Sequence, residues 1–550
     1  MGGTTGGGAS RGGAVTQAVI DSGVSQGDDG GLDNGELNVE LLQRSAEKLC
    51  RNADRTHGGF GAAPKFLHSM DLRFLLRSYR RFGMRDALEV VTLTLDKMAA
   101  GGIYDQLGGG FHRYSTDARW LAPHFEKMLY DNALLVPVYL EAWQVTQNED
   151  YLRVVRETLD YVEREMTSPE GGFYSTQDAD SEGVEGKFFT WSLAEIEEVL
   201  GTEEGHVFAR CYDVSAHGNW EETNILNRPK TLAEQAKILG CEVADLERRL
   251  KSSRGKLMER REGRIHPGRD EKILTAWNGM MIAALSRAAG DGGVAVCGDG
   301  RSGGGVCAAE DEPAGGGLWH VHNKGESRVN GFLDDYACLI DGLIELHQTT
   351  RETRWLEEAV RLTEVMLQRF EDPQGGGLFY TSGDHEELIA RQKELQDNAT
   401  PSGNSMAAWV LLRLGRLCGR GEWEERGEKI LRVIGPIARQ YPSAAGQMLM
   451  ALDFAVGPAY EIVVAESGEE IQDGSVWHFL QWEYLPNVLW LRREAGTGDE
   501  QISGPAAGVL RGKTARNGVA TVYVCEKGMC GMPLTDLDSL RKRLQGGEVE

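Results

Sequence analysis

No stretch of this 550-residue chain approaches the ~18 consecutive apolar positions of a membrane-spanning helix. Basic residues are in the minority, 59 against 84 acidic ones. The resulting net charge of −25 argues against nucleic acid or an anionic membrane as the main partner. The start of the chain lacks the basic and apolar regions of a secretory signal. Cysteine is sparse: nine residues, an odd number, scattered without the spacing of a disulfide framework or a zinc site. Reduced thiols in an intracellular, cytoplasmic setting are the expectation, with no metal and no cofactor. Cys525 and Cys530 are not spaced as a thioredoxin motif and are expected to be structural thiols. No P-loop, hydrolase elbow or Rossmann fingerprint stands out.

Glycine, by contrast, is plentiful, and its placement carries the main signal. Residues 1–37 are Gly-rich and of low complexity, a composition that predicts disorder. Helical periodicity then begins at Asn38–Arg51, where Val39, Leu41, Leu42, Ala46 and Leu49 share a face. Four amphipathic helices each run into a glycine-rich turn followed by an apolar or aromatic residue. The turns are Gly58-Gly59-Phe60, Gly101 through Phe111, Gly171-Gly172-Phe173 and Gly375-Gly376-Gly377-Leu378. A further helix follows each turn. Others are predicted over Leu193–Leu200, Leu232–Met258, Leu274–Ala289, Ser402–Cys418, Glu422–Gln440 and Ser443–Phe454.

A dozen or so helices in consecutive hairpins around one core imply an α-solenoid or a closed α/α toroid. Turns built from glycine and aromatics suit short β-hairpins on one rim and favour the toroid. The expected division is a disordered 1–37, a toroid over 38–457 with a Gly-rich insertion at 290–317, and a small α/β region over 458–550. Strand-like runs at Tyr460–Ala465, Asn487–Leu491 and Val519–Cys525 support that last piece.

Chemistry-bearing residues gather at the turns. Pro123 suits a first helical position, so a helix is expected to open there and to carry His124 and Asp131 on one face. An imidazole and a carboxylate so placed form a proton-transfer pair. His112 and Arg113 lie in the glycine loop before it, with Tyr104, Asp105 and Glu126 in the same stretch. Asp178 and Asp180 form an acidic cluster after the third turn, suited to sugar hydroxyls or general acid/base work. Trp277 with Asn278, Asp334 with Asp335, and Asn404 sit at or near predicted helix starts, where Asp also serves as a plain cap. Their recurrence on one rim makes a shared pocket the expectation.

The ordered set Gly58 to Phe66, Gly101 to Asn132, Asp178 to Gly183, Gly218 to Glu221, Ala276 to Gly279, Asp334 to Ala337 and Ala399 to Asn404 resembles the spermatogenesis-associated protein 20 family. The likeness covers roughly residues 38–545, with Cys525 to Pro533 similar to its C-terminal signature. It implies a six-hairpin (α/α)6 toroid like those of glycosidases and of sugar 2-epimerases. Members of that family begin with a thioredoxin-like domain carrying a Trp-Cys-His motif. Residues 1–37 hold no such segment, so the resemblance implies a partial member.

The functional expectation is a carbohydrate-binding or carbohydrate-modifying pocket, with epimerase/isomerase or glycosidase chemistry and a small-molecule ligand. His124 is the expected general acid/base, with His112, Asp178, Asp180, Asp334 and Asp335 as partners. Tyr104, Asp105, Arg113, Glu126, Asp131, Trp277, Asn278 and Asn404 are the expected substrate contacts. The rival is a non-catalytic scaffold or redox-associated protein, which predicts a rim filled by side chains with no open polar cavity.

Overall fold

The computed structural model describes residues 37–289, 313, 315–385, 390–467 and 475–544. Most of the segment expected to be disordered and most of the 290–317 insertion lie outside these residues. Residues from Leu37 onward form one compact unit.

Its frame is helical: α1 (Val39–Asn52), α2 (Ser69–Phe82), α3 (Arg85–Ala100), α4 (Leu129–Thr146) and α5 (Glu149–Tyr161). Then come α6 (Leu193–Leu200), α7 (Thr202–Cys211), α8 (Leu232–Leu239), α9 (Val243–Glu262), α10 (Thr275–Ala288) and α11 (Leu333–Thr350). The series ends in α12 (Thr353–Phe370), α13 (Gly403–Cys418), α14 (Gly421–Gln440) and α15 (Gly446–Val456). Helices α2, α4, α10, α11, α13 and α15 pack each on the next, and α15 packs back on α2, so six inner helices close a ring. Around it, α1, α3, α5, α12 and α14 each pack on inner members. The fold is an (α/α)6 toroid.

The two rings differ in side-chain pattern for a physical reason. Outer helices bury one stripe and show water the other, so α1, α5, α12 and α14 are strongly amphipathic. Inner helices have neighbours on nearly every side, and α4, α10, α13 and α15 are apolar almost all round.

Helices α6 to α9 interrupt the ring between α5 and α10 and carry a small core of their own around Trp191, Phe208 and Leu246. The single helix expected over Leu232–Met258 is two, because Gly240 ends α8 in the left-handed conformation at φ 66°. Beyond the toroid, Tyr460–Ala465 runs parallel to Val488–Arg493 and antiparallel to Thr521–Glu526. This sheet unit meets the C-terminal ends of the inner helices, where Gln348 of α11 bonds Trp490 at 2.7 and 2.9 Å. Cys525 and Cys530 pair across its last hairpin as a disulfide, correcting the expectation of free thiols. The strand register sets the two side by side, which sequence spacing does not show.

The turns repeat in detail. Antiparallel bridges join Ala53 to Phe60, Tyr104 to Phe111, Thr167 to Phe173 and Glu371 to Leu378. In three turns a lysine clamps the carboxylate and a glycine carbonyl together. Lys65 Nζ donates to Asp54 (2.6 Å) and the Gly58 carbonyl (2.8 Å), and Lys127 to Asp105 and Gly109, both at 2.9 Å. Lys393 does the same with Asp372 (2.6 Å) and Gly376 (2.5 Å). Glycine is required at the second of these turns: Gly109 adopts φ 75°, and a Cβ there would sit 2.1 Å from the Glu157 carbonyl oxygen.

Three inner helices hold the turn before them with an asparagine in their first turn. Phe111 N–H donates to Asn132 Oδ1 (2.8 Å), Phe173 N–H to Asn278 Oδ1 (2.7 Å) and Leu378 N–H to Asn404 Oδ1 (2.8 Å). Each amide nitrogen donates back to the carbonyl of the same turn residue. Asn278→Ala strands both polar groups of Phe173 in a buried site, and a loss of about 2 kcal/mol in urea unfolding is expected. A cost under half that would show that water takes over the clamp.

Candidate functional site

Three of these turns lead directly from an outer helix into an inner one, and the third along the chain is held by Asn278 at the start of the inner helix α10, so they share the rim at the N-terminal ends of the inner helices. There a cavity of about 390 Å³ opens over the starts of α2, α4, α13 and α15. Its polar wall consists chiefly of His68, Asp71, Arg113, Tyr130, Asp131 and Asp397.

His68 precedes α2 with a left-handed backbone at φ 48°, uncommon outside glycine. Its Nδ1 lies 3.0 Å from Asp71 Oδ2, which orients the ring and leaves Nε2 for the cavity. Burial pushes the Asp71 carboxyl up, with His68 pulling the other way. Asp131 stands in the first turn of α4. Burial raises it well above the usual carboxylate range, against the pull of Arg113. Asp131 Oδ2 is buried and accepts no hydrogen bond. Both features favour the protonated form of Asp131 over the carboxylate. Burial likewise pushes the Tyr130 phenol up to about 12. Arg113 donates to Glu126 at 2.9 Å and faces Tyr130. Asp397 is occupied by backbone: Ser402 N–H and Gln447 N–H donate to it at 2.9 and 2.8 Å, tying the starts of α13 and α15 together.

A second cluster lies at the start of α11. Burial, then Asp335 and Glu394, push Asp334 up to about 8, and its Oδ1 is buried without a partner. Asp335 is a structural hub, facing His320 Nδ1 at 2.8 Å and accepting from the Ala276 and Phe332 N–H groups at 2.9 Å each.

The helix expected from Pro123 is absent, which separates His124 from Asp131. Pro123–His124 pairs with Tyr114–Ser115 as a short antiparallel ribbon, and Arg113 N–H donates to the Glu126 carbonyl at 2.8 Å. Strand pairing claims the segment, and α4 begins only at Leu129. His124 sits on the ribbon between Glu185 (2.7 Å) and Glu126 (3.6 Å), outside the cavity wall.

Of the other expected residues, Arg113 and Asp131 meet in the cavity wall. Trp277 packs edge-on against the cavity residue Tyr130, with ring centroids 4.8 Å apart. His112 is 1% exposed, wedged against Phe125 and Phe189, with Nδ1–H donating to the Phe125 carbonyl at 2.8 Å. Tyr104 donates to Glu157 at 2.6 Å, and Asp105 is locked between Lys127 and Arg261. Asp178 and Asp180 are exposed, away from the cavity wall. Asn278 and Asn404 spend their amides on the turns, as above.

His68 and Asp71 escaped the sequence reading. Their signal was available: a His and an Asp three residues apart directly before an apolar-periodic run.

No family model matches the chain. Spermatogenesis-associated protein 20 from human is 33% identical to it, over 91% of this chain and 69% of that protein. The mouse protein of the same name is 32% identical over 92% and 69%. The chain belongs to the spermatogenesis-associated protein 20 family. Among solved structures, an unsaturated glucuronyl hydrolase from Bacillus sp. GL1 is similar over 75% of this chain and 94% of its own, at 11% identity and a TM-score of 0.44. His68 and Asp131 share the wall of the cavity over α2 and α4. Among the described residues, no helix is long and apolar enough to cross a membrane.

Proposed function

We propose that the chain binds a sugar in the rim cavity and moves a proton on it, as an isomerase or epimerase does. The carrying observation is the presence, in one wall, of a buried carboxyl without a hydrogen-bond partner on Oδ2, Asp131, and an Asp71-oriented imidazole, His68. An open cavity with ionisable groups in its wall supports this reading over a scaffold, which would fill the rim.

In this scheme His68 Nε2 takes the proton from the carbon beside the sugar carbonyl. Asp131 gives its proton to the carbonyl oxygen, so an enediol forms with no net charge. Arg113, next to Asp131, stabilises charge that builds on that oxygen. Return of a proton to the neighbouring carbon, or to the other face, yields the isomer or epimer. Hydrolysis would instead need one ionised carboxylate across from one acid. The carboxylates that share this wall with Asp131 are already engaged, Asp71 by His68 and Asp397 by backbone N–H groups.

The test is incubation of the protein with glucose, mannose, galactose and their disaccharides in deuterated water, followed by NMR. Deuterium incorporation beside the carbonyl is expected for one of them. Asp131→Asn and His68→Gln should each lower its rate by about a hundredfold or more. Binding without exchange would overturn the proton-transfer step; no binding to any sugar would overturn the whole reading.

A further inference from the structure

Phe66 is a large aromatic side chain at the edge of the cavity that stands open to solvent. It is 48% exposed, and no other phenylalanine among the described residues falls in the exposed class. Its neighbours in space explain how it is held. Lys65 bridges Ser115 in antiparallel fashion, so Phe66 falls beside Tyr114, and Tyr114 pairs in register with His124. Side chains opposite one another on adjacent extended segments point to the same face. Phe66, Tyr114 and His124 accordingly form a lateral row of rings. Their centroids are 5.3 and 5.2 Å apart and their planes are tilted by 38° and 31°.

The row is anchored at both ends. Lys65 is fully buried and bonded to Asp54, Gly58 and Ala118, which fixes the backbone under Phe66. His124 is held by Glu185 and Glu126, and Glu126 in turn by Arg113. The Glu126 side chain is 23% exposed and that of Glu185 43%, so carboxylate oxygens border the rings. The row also joins the cavity: Phe66 and Arg113 both line it, whereas Tyr114 and His124 lie outside its wall.

We propose that Phe66, Tyr114 and His124 are a stacking platform for the outer units of a linear oligosaccharide whose reacting end occupies the cavity. This rests on the sugar reading above and names its substrate class as a chain rather than a free monosaccharide. Faces of sugar rings are apolar and their edges carry hydroxyls. A row of tilted rings bordered by carboxylates and a guanidinium matches both features, and a flat apolar partner surface would have no use for the charged border. His124 then acts as a ring and as a hydrogen-bonding edge, positioned by Glu185.

The experiment compares binding of glucose, mannose and galactose with their β-1,4- and α-1,6-linked disaccharides and tetrasaccharides, by calorimetry on the full chain. A tetrasaccharide is expected to bind about tenfold tighter than its monosaccharide. Tyr114→Ala should remove that gain while monosaccharide binding persists, and Tyr114→Phe should keep it. Equal affinity for mono- and tetrasaccharide overturns the platform and leaves the cavity reading standing, as does a tetrasaccharide gain that survives Tyr114→Ala. Absence of binding by every sugar overturns both. The chain-length comparison uses the unaltered protein, so it does not depend on any variant folding.

Discussion

Glu345→Gln is expected to destabilise the protein by about 3–5 kcal/mol, although it changes no side-chain volume and lies far along α11 from the rim. Glu345 accepts from Arg287 at 2.8 Å and from Arg413 at 2.7 Å, both from neighbouring inner helices. The chain of contacts continues from Arg287 to Glu141 (3.5 Å) and from Glu141 to Arg73 (2.5 Å). Arg413 also meets Asp341 at 2.7 Å, and Trp409 Nε1 donates to the same carboxylate at 2.8 Å. Arg77 joins Asp453 of α15 at 3.2 Å and lies over the Trp409 ring. All six inner helices thus contribute charge to one buried network in the middle of the ring. Burial alone would push Glu345 up, but Arg287 and Arg413 carry it down to about 2. Removing its charge leaves two buried guanidinium groups short of a counter-charge, the situation in which a broken buried pair costs most. Urea unfolding of the single variant and of Glu345→Gln/Arg413→Met measures this. Partial recovery in the double variant is expected, and a cost below about 1 kcal/mol in the single one would show the network to be a bystander.

The second large effect is a pH dependence. Burial, aided by Lys127, lowers His112 to about 3, against the pull of Asp105. In the unfolded chain the imidazole titrates near 6.5. A depressed folded value means that the stabilisation is present above about pH 6.5 and is lost as pH falls towards 3. Across that window the loss amounts to as much as about 4–5 kcal/mol. Unfolding free energies of the wild type and His112→Gln, measured between pH 7 and 4, should therefore converge as the pH drops. Parallel curves would mean that His112 takes up its proton over the same pH range folded and unfolded, and would reopen it as a proton carrier.

Much of the frame was legible because its signals are local. Helix α3 and the strand Tyr460–Ala465 fall where periodicity places them, and most other helix ends agree within a residue or two. The glycine turns repeat because each must reverse the chain tightly at the end of an outer helix, with glycines at positive φ. What misled was competition between two local signals. Pro123 reads as a helix start, yet the residues from Arg113 to Glu126 satisfy their backbone groups by pairing across a ribbon, and pairing partners distant in sequence leave no periodic trace. His112, Tyr104 and Asp105 have the residue types of a site but serve the turn itself, where a buried polar group must find a partner.

By itself the sequence pointed to a helical toroid with repeated glycine turns and to the rim on which its ionisable residues gather, and the resemblance of its ordered motifs pointed to a family. The helices and turns follow from spacing along the chain. Only the tertiary structure decided which of the gathered residues face open space. His68 and Asp131 share one cavity because α2 and α4 are ring neighbours, although 63 positions separate the two residues. It also set arginines and carboxylates from six helices against one another in the ring centre. Closing the ring does both at once: it turns separate helix faces into one interior and leaves the remaining polar groups at the mouth.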